Sequence, residues 1–517
     1  MEQETQSIVD RFASLCNISS PKCSVVDKGG ELYLAIHVGQ INDVYTSNLA
    51  MLTKELEKTS KFANHIFLKP DRPSNWLTSA ECQLLQSLLA KSLTIGKGSL
   101  DSAFHRKTGH FVEDKKRQIT NDANHVVYGR RGAGKSTLVL HACNQAKENE
   151  LPFAWIAMQQ YQGRDDYQVI PQFLYEMVDA IAVNYTIDPN LMDNLRQQIL
   201  KLEEKGETLT LREIKIALPV FARSFLPFVR KYGRFYLFID DIHLLQTTLQ
   251  PDFLSCIYSF ARGNNIFIKI TGIENLTNLY NEMDQEGLQT PGDAQVIRLD
   301  YNLVNPETAF EHIVNVLNGY VTYVGIPSIQ SIISDRKVLE RLTWTSAGVP
   351  RDALYIFNNS ITKALAQKRR KVAVTDINMT AAESMIEKER NLSEDAKGQK
   401  GPVAQAIADI KTFCMKEIRA NAFLVRIDMD SPYYQLIRKI SDLRFIHILH
   451  AGITPEKAGE KYEVYLLDYA FYTGFRKAPS VKEVISAPVL PAAKDLRKLQ
   501  RYKYEDRLKE KLGTEEN

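Results

Sequence analysis

The chain has 517 residues, which is long enough for about three domains, because a single hydrophobic core rarely grows beyond about 250–300 residues. An apolar fraction of 44% and a charged fraction of 25% exclude wholesale disorder, and a net charge of +3 gives no case by itself for a nucleic-acid or membrane partner. The N-terminus is acidic, no apolar run approaches the length of a membrane span, and the six cysteines form no zinc-binding pattern, so we expect a cytoplasmic protein without membrane contact and with reduced thiols.

Residues 1–118 predict a small mixed α/β region. Two strand-like runs, Cys23–Val26 and Leu32–His37, flank a glycine-containing turn that is typical of a hairpin. Helices are predicted near Ser47–Ser60 and over Thr78–Lys91. This region carries no catalytic signature.

Residues 119–304 alternate short apolar strands with helices, which predicts an open parallel sheet. Between the second and third strands lies a long helical stretch that includes Pro171–Asn184 and a segment opened by Asp188-Pro189. That connection is longer than a βαβ crossover needs. The predicted strands are His125–Tyr128, Phe153–Met158, Phe235–Ile239, Ile266–Ile270 and Gln295–Leu299.

Residues 305–390 predict an all-helical lid that begins at the capping signal Asn305-Pro306-Glu307. The polar stretch Asn391–Gly401 interrupts the periodicity and predicts a domain boundary. A third unit follows at 400–480, and 490–517 predict a charged helix that suits solvent or a protein partner.

The third unit has a helix, Ser431–Leu443, followed by two strands, Arg444–His450 and Tyr462–Tyr469. The polar loop Thr454–Lys461 joins the strands, and together these elements give the outline of a wing. A small α/β protein-binding domain is the alternative. Five cations in this unit are candidates for phosphate contacts: Arg438, Lys439, Arg444, Lys457 and Lys461.

A glycine-rich loop after the first core strand has the composition of a phosphate cradle. Its glycines let backbone N–H groups point inward, its lysine offsets the charge of the β- and γ-phosphates, and its hydroxyl binds magnesium. This is a Walker A pattern and predicts ATP and Mg²⁺ as ligands, whereas an ordinary glycine turn is the alternative. The residues are Gly129, Arg130, Arg131, Gly132, Ala133, Gly134, Lys135, Ser136 and the following Thr137, with Ser136 as the magnesium ligand.

Two neighbouring strands end in polar residues that suit the same site. The strand over Phe235–Ile239 ends at Asp240, predicted to hold magnesium, and Asp241, predicted to polarise the attacking water. An aspartate is one methylene shorter than the usual glutamate, so hydrolysis is expected to be slow. The next strand ends at Thr271, a candidate γ-phosphate sensor, although threonine is also common at strand ends and caps.

In the lid, Gly348-Val349-Pro350-Arg351 places a turn directly before a helix and an arginine in its first turn. An arginine there opposes the helix dipole unless an anion compensates it. A phosphate of ATP would be such an anion, so Arg351 is a candidate phosphate contact. A surface salt bridge, for example to Asp352, is the alternative.

Together these motifs resemble the AAA+ ATPases, and within them the replication-initiation and origin-recognition group, whose lid carries a similar Gly-x-Pro-Arg sensor. The resemblance covers about residues 105–388. It implies an α/β fold with a parallel-sheet P-loop domain, a helical lid and a C-terminal winged-helix domain, and it implies double-stranded DNA as a partner of that domain, with self-assembly or a protein partner.

Two features of the sequence depart from the pattern of the initiator group and leave a second interpretation open. No Arg or Lys occurs between Thr271 and Ile297, where ring-forming members present an arginine finger, and Arg262 is a weak substitute. The Asp240-Asp241 pair also resembles the STAND signalling ATPases. The alternative function is therefore a nucleotide switch, such as the ATPase component of a bacterial defence system, that acts through protein assembly.

Overall fold

The computed structural model describes residues 2–28, 30–56, 60–100, 102, 104, 113–299, 301–395, 400–454, 460–473, 481–484 and 490–512. Residues 94–300 form one compact unit. Residues 1–93 and 301–517 form the other, so the N-terminal region, the lid and the C-terminal segments, predicted as separate domains, share one unit.

The N-terminal region is a three-stranded sheet with helices. The hairpin predicted from the sequence is confirmed, since β1 pairs antiparallel with β2, and β2 pairs parallel with β3. Its elements are α1 (Glu2–Cys16), β1 (Cys23–Lys28), β2 (Glu31–Val38), α2 (Asp43–Leu56), β3 (Ile66–Pro70) and α3 (Ala80–Lys91).

The unit formed by residues 94–300 contains a five-stranded parallel sheet in the order β10-β4-β7-β6-β5, which confirms the predicted fold of the core. The interior strand β6 is buried along its whole length, as an unbroken apolar run covered on both faces requires. The elements are α4 (Glu113–Ile119), β4 (His125–Tyr128), α5 (Lys135–Glu148), β5 (Phe153–Ala157), α6 (Val169–Asn184), α7 (Pro189–Glu203), α8 (Leu211–Tyr232), β6 (Phe235–Asp240), α9 (Leu249–Ala261), β7 (Ile266–Gly272), the two-residue strands β8 (Tyr280–Asn281) and β9 (Glu286–Gly287), and β10 (Gln295–Arg298).

The register of the sheet brings the predicted site residues to one edge. Tyr128 at the end of β4 lies opposite Gly272 on β7, and Ile239 on β6 lies opposite Ile270. The carboxyl ends of β4, β6 and β7 are therefore level. Side chains that follow these ends can meet in one crevice.

The long connection between β5 and β6 consists of the three helices α6, α7 and α8. Asp188 caps α7 by accepting from the backbone N–H of Asn190, and Thr210 caps α8 by accepting from the N–H of Glu213. One face of α8 is buried against β6 and α9, and its aromatic rings pack on Phe235 and Phe260.

The lid is all-helical, as predicted: α10 (Pro306–Tyr323), α11 (Arg336–Thr345), α12 (Pro350–Ala366) and α13 (Val374–Asp395). The predicted linker at Asn391–Gly401 needs correction, because α13 continues through Asp395 and α14 (Lys400–Thr412) begins at Lys400. Polar composition alone does not distinguish a helix from a linker. Residues 396–399 lie outside the described ranges.

The C-terminal part contains an antiparallel sheet in the order β11-β13-β12. The predicted helix and hairpin are confirmed, whereas β11 is a third strand that the sequence analysis missed. Most of the predicted wing loop, residues 455–459 with Lys457, lies outside the described residues. The elements are β11 (Ala422–Arg426), α15 (Pro432–Asp442), β12 (Ile446–Ile453) and β13 (Tyr462–Leu467).

The single charged helix predicted for 490–517 is also corrected. Two short helices, α16 (Ala493–Leu496) and α17 (Tyr504–Leu512), flank a segment that adds to the edge of β11. Tyr502 interrupts the helix because its N–H donates to Leu424 O at 2.8 Å and its hydroxyl donates to the buried Asp409 at 2.7 Å. The alternation of charges along this segment gave no sign of these contacts of Tyr502.

Paired side chains join the lid to the C-terminal part. Asp352 on α12 pairs with Arg444, which directly precedes the β12 hairpin. The ring of Trp344 on α11 stacks on Tyr469, with centroids 6.0 Å apart. These contacts explain why the two regions belong to one compact unit.

Among the described residues, no helix combines the length and the apolar character needed to cross a bilayer. Nor does this part of the chain contain a group of three or more His, Cys, Asp or Glu side chains that could hold a metal ion. All six cysteines are free thiols, as predicted.

Candidate functional site

The glycine-rich loop connects β4 to α5, and two of its glycines have backbone angles that side chains rarely adopt. Gly132 has φ 84° and Gly134 has φ 99°. Gly129 is favoured for a different reason: a Cβ there would lie 3.2 Å from the Cβ atoms of both Ala133 and Leu299, a tight approach. The loop therefore combines left-handed turns with a close backbone approach, which suits a phosphate cradle at a helix N-terminus.

Lys135 is the first residue of α5 and is only 6% exposed. Its Nζ donates to the carbonyl oxygens of Gly129 at 3.2 Å and Arg130 at 3.5 Å. The ammonium thus lies against the loop that precedes it, where it adds to the positive end of the α5 dipole. This arrangement concentrates positive potential for a phosphate.

Asp240, at the carboxyl end of β6, is buried and accepts a hydrogen bond from Thr271, whose Oγ1 donates to Asp240 Oδ1 at 2.5 Å. Burial and the neighbouring charge of Asp241 raise the pKa of Asp240, and the hydroxyls of Thr271 and Ser136 oppose that shift. The Ser136 hydroxyl in the first turn of α5 and the Asp240 carboxylate at the end of β6 are oxygen donors of the kind that Mg²⁺ prefers, so these residues fit that ion.

Asp241 has the left-handed backbone angles φ 60° and ψ 50°, which are uncommon outside glycine. Its N–H donates to Thr271 Oγ1 at 2.8 Å. Its Oδ1 lies 3.7 Å from Lys135 Nζ and 3.8 Å from His243 Nδ1. The hydroxyl of Thr271 therefore positions both acids, as donor to one and acceptor from the backbone of the other.

The structure brings together five of the predicted site residues: Lys135, Ser136, Asp240, Asp241 and Thr271. In the loop and the first turn of α5, Arg131 is exposed, whereas Arg130 and Thr137 are half-buried. Their contacts with a nucleotide stay predictions.

Arg351 lies in the other compact unit, in the first turn of α12, and its contact with a phosphate stays a prediction. Its neighbour Asp352, considered above as a partner for it, pairs with Arg444.

The sequence analysis missed His243, whose ring is 11% exposed and lies beside Asp241. A lone histidine in a short turn gives no signal by itself. Its position two residues after the second acid was the one available clue.

No protein-family model matches the chain, and no curated protein matches it. Solved structures similar to it include Cdc6p from Pyrobaculum aerophilum (14% identity, TM-score 0.35, covering 72% of this chain and 95% of that one) and ORC1 from Aeropyrum pernix in complex with DNA (13%, 0.37, 70% and 90%). A third is the RuvB Holliday junction branch migration motor of Thermotoga maritima (13%, 0.31, 67% and 82%). At these TM-scores the similarity carries no argument about function, which rests on the geometry above.

Replacing Thr271 by Val should lower the free energy of unfolding by about 2 kcal/mol, because the buried Asp240 loses a donor and the Asp241 N–H loses its acceptor. Chemical denaturation at pH 7 measures this. Thr120→Val is the matched control, since Thr120 donates only to backbone oxygens of the helix before β4. Equal losses in the two variants would contradict the positioning role of Thr271.

Proposed function

We propose that the chain binds ATP with Mg²⁺ at the loop and first helical turn spanning residues 129–137 and hydrolyses it slowly. The observation that carries this proposal is that Lys135 of the loop and the Asp240 carboxylate, which accepts a hydrogen bond from Thr271, are both buried beside the carboxyl ends of the strands. Burying an ammonium and a carboxylate is costly. A nucleotide phosphate and a divalent cation match both.

Each residue then has a distinct task. Lys135 offsets phosphate charge, Ser136 and Asp240 hold the cation, and Asp241 orients and deprotonates the attacking water. When bound, Mg²⁺ would neutralise charge on the phosphate oxygens. Thr271 acts on both acids as a positioning residue.

Slow hydrolysis follows from the environment of Asp241. Its side chain is short, and one of its carboxylate oxygens lies within 4 Å of both Lys135 Nζ and His243 Nδ1. An oxygen held between these groups has less freedom to reach a water beside the γ-phosphate. This supports a role in which the bound state matters more than rapid turnover.

We further propose that nucleotide state controls how the C-terminal part engages DNA. Arg351 and Asp352 are consecutive on α12, and Asp352 holds Arg444 at the start of the β12 hairpin. A change at the first turn of α12 is therefore transmitted directly to the hairpin. Lys461, exposed beside the wing loop, is the described cation that supports a phosphate contact.

One observation favours protein assembly as the second candidate. Arg438 and Arg444, predicted as phosphate contacts, are held by the buried Glu463 and by Asp352. Breaking such pairs to reach DNA would leave a partly buried carboxylate uncompensated. A switch of the STAND type would need no such cations.

Lys135→Ala should weaken ATP binding by at least about a hundredfold, because the ammonium is the buried cation of the loop. Binding of a fluorescent ATP analogue measures this. Lys147→Ala is the matched control, since Lys147 is exposed in the last turn of the same helix. Unchanged affinity in a folded Lys135→Ala protein would contradict the proposal.

Substitutions of Asp240 and Asp241 should have different effects on ATP binding and on turnover. Asp240→Asn should impair magnesium-dependent ATP binding, whereas Asp241→Asn should leave binding nearly intact and lower turnover by about a hundredfold or more. Phosphate release and nucleotide binding, measured on the same preparations, test this. Asp241→Glu, which restores the longer acid, should keep turnover. Wild-type turnover in Asp241→Asn would show that another group activates water.

Duplex DNA binding by the full chain should differ between ATP and ADP and should weaken with rising salt. Fluorescence anisotropy of a labelled duplex measures both effects. Lys461→Glu should weaken binding more than the exposed control Lys416→Glu, and Arg351→Ala should remove the difference between nucleotides. Absence of duplex binding at low salt would favour protein assembly.

A further inference from the structure

The helix α8 has a solvent-facing side that the fold does not use. Its opposite side carries the buried residues Phe221, Phe225 and Phe228. Seven exposed residues fall within a sector of about 100° and extend over about 27 Å of helix. These residues, the α8 stripe, are Arg212, Ile216, Pro219, Val220, Arg223, Pro227 and Arg230.

The three arginines of the α8 stripe form no ion pair or hydrogen bond with any residue that the structure describes. Four other arginines of the same compact unit are paired: Arg164 with Asp166, Arg196 with Asp179, Arg234 with Asp122, and Arg298 with Glu274. No acid belongs to the stripe. It is therefore a line of positive charge available to a partner.

The centre of the stripe is apolar. Ile216 is 65% exposed and Val220 is 45% exposed. Pro219 and Pro227 lack backbone N–H groups, so the carbonyl oxygens of the residues four positions earlier have no intrahelical donor. The surface thus offers cations, aliphatic side chains and carbonyl acceptors.

The combination of arginines, aliphatic side chains and carbonyl acceptors favours a protein partner over a nucleic acid. Nucleic-acid phosphates would engage the arginines but gain nothing from exposed aliphatic side chains or from further acceptors. An amphipathic helix with acidic and aliphatic residues on one face would pair with the arginines and also cover Ile216 and Val220. Charge complementarity therefore favours a protein helix.

We propose that the α8 stripe docks an acidic amphipathic helix of a partner protein. This function goes beyond nucleotide binding and does not depend on it. It also accounts for the helical connection between β5 and β6, which is longer than the parallel sheet requires.

The test uses the full chain and a labelled synthetic peptide, a 20-residue helix with Glu and Leu repeating along one face. Fluorescence anisotropy should show saturable binding that weakens roughly tenfold or more in Arg223→Glu and in Ile216→Ser. Lys201→Glu, an exposed change on α7, should leave it unaltered. A peptide with Ser in place of Leu should bind correspondingly more weakly.

Lys135→Ala should bind the peptide as the wild type does, which separates this proposal from ATP binding. Equal peptide affinity in Arg223→Glu and wild type would overturn it. So would duplex DNA binding that depends on Arg223 without peptide binding, which would make the stripe a nucleic-acid surface. Self-association lost in Ile216→Ser, again without peptide binding, would identify a second copy of the chain as the occupant.

Discussion

The hydroxyl of Thr271 is the contact on which the geometry of the site depends. It donates to Asp240 and accepts from the backbone of Asp241, so the ends of β6 and β7 are joined at one point. The parallel register makes this possible by placing the carboxyl ends of the two strands level. The helix after the loop reaches the same site through Lys135, whose Nζ lies 3.7 Å from Asp241 Oδ1. The buried side chain of Thr271 thus links the register of the sheet to the positions of the two acids.

The charges around this contact are arranged against local stability. Asp240 is buried beside a second acid, which raises its pKa, and Asp241 has a left-handed backbone conformation. Lys135 is buried as well, and its ion pair with Asp241 offsets part of this cost. The buried strands around the site hold the arrangement in place. The binding of a phosphate anion and a magnesium cation would compensate these buried charges, and this is the basis of the proposed function.

The core and its motif could be predicted because each depends on local rules. Unbroken apolar runs predict buried parallel strands, and the glycine spacing predicts the loop. Long-range pairing could not be predicted. Whether Arg438 and Arg444 are free depends on Glu463 and Asp352, and whether the chain end is helical depends on the distant Asp409. The prediction of a linker at Asn391–Gly401 failed for a related reason, because polar composition does not determine backbone conformation.

Calorimetric titration of the full chain with ATP, with magnesium present and then with magnesium chelated, tests the central claim most directly. The geometry predicts one nucleotide site per chain and clearly weaker binding without magnesium, because the Ser136 and Asp240 oxygens then have no cation to share with the phosphates. Absence of saturable ATP binding by the folded protein, or binding that is indifferent to magnesium, would contradict the assignment of this loop and these acids.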